Sequence, residues 1–422
     1  MRAWIYDWNS ADVPPRPAHD CVEVVDETLR DGLQSPSVLH PSFGEKLEIL
    51  RKMAQLGIET ATIGLPGAGP AFARDTERLV RAAQSERLPI RLACAARTLE
   101  SDIDPILRIA DKTGVPIDVH CFLGSSPIRR LSEDWTLDFL LTSTEEAVSL
   151  AVRAGLDVLY ITEDSTRARP EDLDAMYTAA MRCGAGRVCV SDTVGHATPA
   201  GAAAVVRFVS GVVERVNPAV KIDWHGHQDR GFGVANALAA LEAGAHRVHA
   251  CALGIGERVG NTPMEQLLVN LQLLGWIDRD LTALPEYARL VSEATGVPIP
   301  PSFPILGHDA FRTATGIHAA AILKARRKGD NELAEMVYYS FPASLVGRRQ
   351  EIEVGPMSGE SNVELWLGAH GFEATPERLS VVLAAAKASN RVLSDSEIEE
   401  LVSRADAAGP RRVADGTDGS RR

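Results

Sequence analysis

The sequence predicts an α/β fold: a (β/α)8 TIM barrel followed by a smaller, mostly helical C-terminal region. Three observations carry that expectation. From about residue 20 to about 280, eight brief Val- and Ile-rich runs alternate with longer amphipathic stretches, the count and length of such a barrel. No G-x-G-x-x-G follows the first run, so the phosphate loop that usually opens a doubly wound sheet is missing. After residue 285 the alternation stops. The predicted organisation is an N-terminal extension over 1–19, a catalytic barrel over 20–285, a linker and helical subdomain over 286–405, and a disordered tail over 406–422.

The strand runs are, in order, CVEVVDET from residue 21, IETATIGL from 58, PIRLACAA from 89 and PIDVHCFL from 116. LDVLYITE from 156, GRVCVSDT from 186, VKIDWHGH from 220 and HRVHACAL from 246 complete the set. Each is short, rich in β-branched residues and bounded by Gly or Pro, the signature of a buried strand. Between them, FGEKLEILRKMAQLG places Leu47, Leu50, Met53, Ala54 and Gly57 on one face at a 3.6-residue period. In STEEAVSLAVRAG, Ser143 or Thr144 can cap a helix whose first turn carries Glu145 and Glu146. Past the barrel, VPIPPSFPILG reads as a Pro-rich linker. GIHAAAILKARRKGDNELAE reads as one helix, and further helices are expected over 361–371 and 376–404. AAGPRRVADGTDGSRR has the polar, Gly-rich composition of a disordered segment.

Composition narrows the function. Lys and Arg number 44 against 57 Asp and Glu, a net charge of -13, whereas a nucleic-acid partner calls for a basic footprint. A local positive pocket for a small anion is still permitted. No run of 18 apolar residues occurs, so no membrane span is expected, and the first 20 residues lack a signal-peptide core. The six cysteines are scattered without a C-x-x-C pair, which suits a reduced, cytoplasmic protein.

In barrels of this type the chemistry sits at the C-terminal ends of the strands. Asp31 lies just past the first run, His225 and His227 end the seventh, and Asn261 follows the eighth. Residues i and i+2 of a strand share a face, and closure makes strands seven, eight and one neighbours. Two imidazoles, a carboxylate and an amide oxygen can therefore converge on one divalent ion such as Zn, Mn, Co or Fe, with Mg a less natural choice for nitrogen ligands. An H-x-H pair alone fits hydrogen-bonded core histidines as well as ligands; three neighbouring strand ends together favour the metal. His120, His246 and His249 lack such company and read as structural.

Five motifs, DETLRDGLQ, DTVGHATP, HGHQDRGFGVANALAALEAGA, GIGERVGN and TGIHA, occur in that order. Over roughly residues 22–365 the chain resembles the acyl-CoA-condensing metal enzymes of the DRE-TIM group. That group includes 2-isopropylmalate synthase, homocitrate synthase, and their (R)-citrate and phosphinomethylmalate relatives. The resemblance implies a metal-assisted Claisen condensation of acetyl-CoA with a 2-oxo acid, then thioester hydrolysis. It implies a divalent metal (Mn, Mg, Zn or Co) on Asp31, His225, His227 and Asn261, and Arg30 as the group that stabilises the new alkoxide. Thr193 and Gln34 would contact the acceptor, with Glu163 and Arg167 beside it; the last two fit a local ion pair equally well. His318 would be the base that takes a methyl proton, supplied across a homodimer by the C-terminal region.

The chain departs from the pattern at three places. Gly32-Leu33-Gln34 stands where the synthases usually read Gly-Glu-Gln, Thr313 replaces a second His, and Met357 occupies a common His position. After the fourth strand, Arg129 and Arg130 offer cations to a second carboxylate. They point to a dianionic acceptor (oxaloacetate, 2-oxoglutarate or a phosphorus analogue), although solvated loop charges would look the same. Alternatives are a 2-isopropylmalate synthase, a hydroxymethylglutaryl-CoA-lyase-type retro-aldol enzyme, or a non-catalytic barrel. Against the lyase, the loop after strand eight has no cysteine.

Overall fold

The structure, a computed structural model, describes residues 5–11 and 15–407. Eight parallel strands close into a barrel in chain order, as the sequence predicts. They are β1 (Glu23–Asp26), β2 (Thr60–Thr62), β3 (Arg91–Arg97), β4 (Asp118–Gly124), β5 (Val158–Glu163), β6 (Arg187–Asp192), β7 (Lys221–Gly226) and β8 (Arg247–Ala250). β8 pairs back onto β1 with Val25 opposite His249. Helices α1 (Phe43–Gln55), α2 (Pro70–Glu86) and α3 (Glu100–Thr113) separate the first four strands. Two helices, α4 (Pro127–Glu133) and α5 (Leu137–Arg153), follow β4, and α6 (Pro170–Arg182), α7 (Pro199–Val216) and α8 (Gly233–Ala243) separate the rest. α9 (Met264–Leu273) and α10 (Leu284–Thr295) come after β8. No helix among the described residues is long and apolar enough to cross a membrane.

The chain divides into two units, Met1–Ile299 and Pro300–Arg422, so α10 goes with the barrel. In the second unit, β9 (Arg312–Thr313) pairs in parallel with β10 (Glu351–Ile352) beside α11 (Gly316–Arg327), α12 (Asn331–Met336), α13 (Glu360–Ala369), α14 (Pro376–Ala388) and α15 (Asp395–Ala407). Val363, Trp366, Val382, Ile398 and Val402 form one of its cores.

Three helix expectations need correction. α5 starts at Leu137, where Thr136 accepts the Phe139 amide at 3.1 Å. Thr144 is interior to that helix and donates its hydroxyl to the Leu140 carbonyl at 2.7 Å, so it caps nothing. The single helix expected over 316–335 is two, parted where Gly329 adopts φ +72. The stretch 376–404 is likewise broken, because Ser389 turns extended after α14. Of the expected disordered tail, Asp406 and Ala407 finish α15, and the remainder lies outside the described residues.

Strand register shows what fills the barrel. Thr60 aligns with Val25, Phe122 with Ile161, Cys189 with Asp223 and Ser191 with His225, and aligned residues share a face. One face of β7 carries Asp223 and His225, and the corresponding face of β8 carries Arg247 and His249. On the other face, fully buried Trp224 is directed away from them. The lumen is thus polar at its lower and upper levels. Asp26, at the end of β1, belongs to the outer face and accepts a hydrogen bond from Tyr287 of α10.

Candidate active site

Each candidate ligand is delivered by a local device at a strand end. After β1 the chain turns tightly: the amides of Arg30 and Gly32 both donate to the Glu27 carbonyl at 3.0 Å, and Asp31 is left 3% exposed at the barrel mouth. His225 lies on β7, and His227 follows one alternation later. The loop after β8 folds back so that Asn261 bridges His227 in antiparallel fashion. That return needs its glycines. A Cβ on Gly260 (φ +92) would lie 1.8 Å from the Gly254 carbonyl oxygen, and one on Gly256 (φ +148) 2.2 Å from Asn261 Nδ2.

The result is a converging group. Asp31 Oδ2 lies 3.3 Å from His225 Nε2 and 3.4 Å from His227 Nε2, and the two imidazole nitrogens are 3.3 Å apart. A cation bound at about 2.0–2.2 Å to each atom would require ligand separations of about 3.0–3.4 Å. Asp31 Oδ2 and Asn261 Oδ1 are buried without a hydrogen-bond donor, while Asn261 Nδ2 is anchored to the Ile255 carbonyl at 3.1 Å. Burial holds His225 down to about 4, against the pull of Asp31, so its ring is neutral near pH 7 and its lone pair is available. Burial works against ionisation of Asp31, but Arg30 and the two histidines outweigh it and hold the carboxyl well below its usual range. Acceptor atoms without donors, two converging imidazole nitrogens and one carboxylate suit a divalent cation. A second group able to hold an ion, Glu27, His225 and His249, lies deeper. There Glu27 already receives Arg30 and Thr62.

A cavity of about 330 Å³ opens over this group. Its polar wall includes Arg30, Asp31, Gln34, Glu163, Thr193, His225 and His227, all expected from the sequence, together with Ser191, Glu257 and Arg258. Leu65, Ala95, Phe122 and Ile161 form an apolar wall. Arg30 donates through Nε to Glu27 Oε2 at 2.7 Å, and its Nη1 lies 3.7 Å from Asp31. Burial raises the Glu163 pKa against the opposing charge of Arg129. Thr193 Oγ1 accepts the Asp164 amide at 2.8 Å, and its carbonyl receives Arg258 at 2.6 Å.

Other expected contacts are not among the residues lining the cavity. Arg167 forks onto Asp164 at 2.8 and 2.7 Å, matching the local ion pair that its position also allowed. Arg129 pairs with Glu133 at 2.7 Å one turn along α4, and Arg130 with Asp172 at 2.8 Å. His318, at the start of α11, lies 3.3 Å from Thr313 Oγ1 and stacks on Tyr338 at 3.8 Å between ring centroids.

Sequence reasoning passed over Ser191 and Arg258. The first shares a face with Thr193 on the β6 run, and the second stands inside GIGERVGN, so both signals were present. The apolar wall carried no signal, since Ala95, Phe122 and Ile161 resemble any buried strand residue. His120 and His249 face Glu27 at 3.9 and 3.3 Å. Both belong to a polar interior announced by the alternation in VKIDWHGH and HRVHACAL.

A closed parallel barrel with a buried carboxylate–imidazole group at its strand ends is the class that fold and site define. The chain belongs to the HMGL-like family, which matches residues 21–291. Among its relatives, homocitrate synthase AksA of Methanopyrus kandleri is 35% identical over 395 residues, covering 91% of this chain and 92% of that protein. The 2-isopropylmalate synthase of Solidesulfovibrio magneticus is 33% identical over 395 residues, 90% of this chain and 73% of the other. These relatives place the chain in the Claisen-condensing branch. The crystal structure of hydroxymethylglutaryl-CoA lyase from Pseudomonas aeruginosa shares the fold, with a TM-score of 0.55 at 18% identity, over 66% of this chain and 93% of that one.

Proposed function

We propose that this protein is an acetyl-CoA:2-oxo acid C-acetyltransferase that joins the acetyl methyl carbon to the keto carbon of its acceptor and hydrolyses the thioester. The observation that carries the reading is the convergence of Asp31, His225 and His227 with Arg30 on one cavity. Asp31, His225, His227 and Asn261 would hold a divalent ion, which when bound supplies Lewis-acid polarisation of a carbonyl. Arg30 presents a fixed positive charge to the cavity, suited to the negative charge that grows on the keto oxygen as the carbon–carbon bond forms. Thr193, Gln34 and Ser191 offer hydrogen bonds to the acceptor carboxylate. Glu163 is a buried carboxyl of raised pKa, suited to carrying a proton within the cavity. His318 is the base we assign to the acetyl methyl proton, reaching the site from a second copy in a cytoplasmic homodimer.

For the acceptor's side chain, the lining favours an apolar group. Leu65, Ala95, Phe122 and Ile161 provide the wall, and the two arginines that would grip a second carboxylate are engaged with Glu133 and Asp172. The lyase reading is weaker: the Cys251 thiol is fully buried and its pKa is pushed far up by that burial.

The test is release of free CoA thiol from acetyl-CoA with a divalent metal and a panel of 2-oxo acids. Release with 2-oxoisovalerate-like acceptors, abolished by chelation and restored by metal, is the expected result. Release only with oxaloacetate or 2-oxoglutarate returns the acceptor to the dianionic class. No release with any member, but cleavage of a hydroxyacyl-CoA, overturns the synthase reading. For the dimer, mixing Asp31→Asn and His318→Ala subunits should restore activity that neither variant has alone.

A further inference from the structure

Arg30 is the one group that the proposed reaction needs at a definite point without help from a metal, yet it sits in a loop. Its hold comes from below. Glu27, fully buried at the end of β1, accepts Arg30 Nε at 2.7 Å and lies 2.7 Å from Nη2, both through Oε2. Its other oxygen, Oε1, accepts Thr62 Oγ1 from β2 at 3.0 Å and lies 3.3 Å from His249 Nδ1 on β8. The His249 ring is fixed in turn, its Nε2 3.0 Å from Asp223 Oδ2, and Asp223 is gripped by Arg247 at 2.6 Å. Thr62 of β2, His120 of β4 and His249 of β8 thus surround Oε1, while Oε2 holds the guanidinium.

We propose that Glu27 is the positioning residue of Arg30: it takes one edge of the guanidinium in a two-pronged grip, ties it to the barrel wall, and leaves the Nη1 side presented to the acceptor. The inference rests on the synthase reading for its kinetic meaning but not for its geometry. Two donors on one edge of a planar guanidinium, both held by a single carboxylate oxygen, restrict its orientation more than a lone ammonium contact would. Oxyanion stabilisation depends on that orientation, and displacement of about 1 Å can cost about 10²-fold in rate. The alternative use of the cluster, a cation on Glu27, His225 and His249, would place added positive charge against Arg30 and Arg247 while both Glu27 oxygens already hold donors. Neighbouring Asp26 shows the contrast. It faces the outer layer, bonded to Tyr287, and has no path to the site.

Glu27→Gln keeps the shape and breaks the grip. In the metal-loaded enzyme it should lower kcat by about 10–100-fold while the acceptor KM changes less than threefold. In Arg30→Ala the further change Glu27→Gln should cost nothing, because its effect is spent through the arginine; losses that multiply would show independent action and overturn the proposal. Should Glu27→Gln fail to fold, Thr62→Val removes the hydroxyl behind Oε1 and should give a smaller loss of the same kind, again absorbed by Arg30→Ala. An unchanged kcat in Thr62→Val and Glu27→Gln alike sinks the idea. A readout without turnover separates this from the function itself. The Arg30 Nε–H signal should exchange slowly in the wild-type holoenzyme and rapidly in Glu27→Gln. That change in an enzyme that releases no CoA would overturn the synthase and keep the anchor; its absence in an active enzyme would do the reverse.

Discussion

Two buried polar levels of the same barrel use similar residues to opposite ends. At the lower level Glu23 is met by Lys221 at 2.7 Å and Arg187 at 3.1 Å, and Asp223 by Arg187 at 2.8 Å and Arg247 at 2.6 Å. Burial would raise the Asp223 pKa, but Arg247 and Arg187 overcome it and hold the carboxyl far below its ordinary range. A buried side-chain atom left without a partner there is a donor, Arg247 Nη2. At the upper level the leftover atoms of Asp31 and Asn261 are acceptors, and two imidazole nitrogens point at the same space. Charge closed on itself supports the barrel; lone pairs left open ask for a cation.

The largest expected effect breaks that contrast directly. One chemical change, Asp to Asn, should act oppositely at the two levels. Asp31→Asn should lower turnover by at least about 10³-fold, in line with losing a metal ligand and its polarisation of the carbonyl, while the metal-free protein melts no lower than wild type. Asp223→Asn should cost about 3–5 kcal/mol of stability, because it strands Arg247 as a buried unpaired charge, while turnover of the folded fraction falls far less than in Asp31→Asn. Thermal melts and CoA-release rates on both variants decide it. Equal behaviour would mean that the levels are not distinct.

A second contrast lies in pH. Asp31 and Asp223, with depressed pKa values, contribute stability above their unfolded pKa that is lost as the medium turns acid. Glu265 runs the other way. Burial raises it from 4.5 to about 7, although the Leu253 amide donates to it at 3.0 Å. The folded state therefore binds its proton more tightly than the unfolded one, and its contribution is full below about 4.5 and fades as pH climbs through about 7. Glu265→Gln mimics the protonated form. It should be near neutral at pH 4.5 and stabilise by about 3 kcal/mol above pH 8, a crossing that chemical denaturation at the two pH values would display. A constant difference would place the carboxyl in a less buried setting.

How much of this was legible beforehand follows from the range of each interaction. The eight strands were, because a buried parallel strand writes itself in a few consecutive residues. Asp31, His225, His227 and Asn261 were too, since strand-end position and i, i+2 spacing are local facts. The polar interior was readable only in the alternation of VKIDWHGH, and its pairing was not, because Asp223 finds Arg187 and Arg247 on other strands. The helix start expected at Ser143 or Thr144 failed because Thr136 upstream takes the cap, and nothing local ranks one hydroxyl above another. Arg130 was placed in the correct loop, but its partner Asp172 is 42 positions away, beyond anything a loop sequence states.

The smallest expected effect concerns the other loop arginine. Arg129 pairs with Glu133 across a half-exposed turn of α4, and such pairs contribute about 0–1 kcal/mol, so Arg129→Ala should hardly move the melting temperature. It should also leave the ratio of KM values for 2-oxoglutarate and 2-oxoisovalerate within about threefold, since the guanidinium is outside the lining that the acceptor meets. Its reach is electrostatic. Arg129 is the positive charge that opposes burial at Glu163, so its removal should let the Glu163 pKa rise further and carry one limb of the pH–rate profile to higher pH. A KM for 2-oxoglutarate that rises tenfold or more, alone, would put this arginine on the acceptor and restore the dianionic assignment; a shifted limb with an unmoved ratio keeps the cavity's apolar wall as the feature that selects the acceptor.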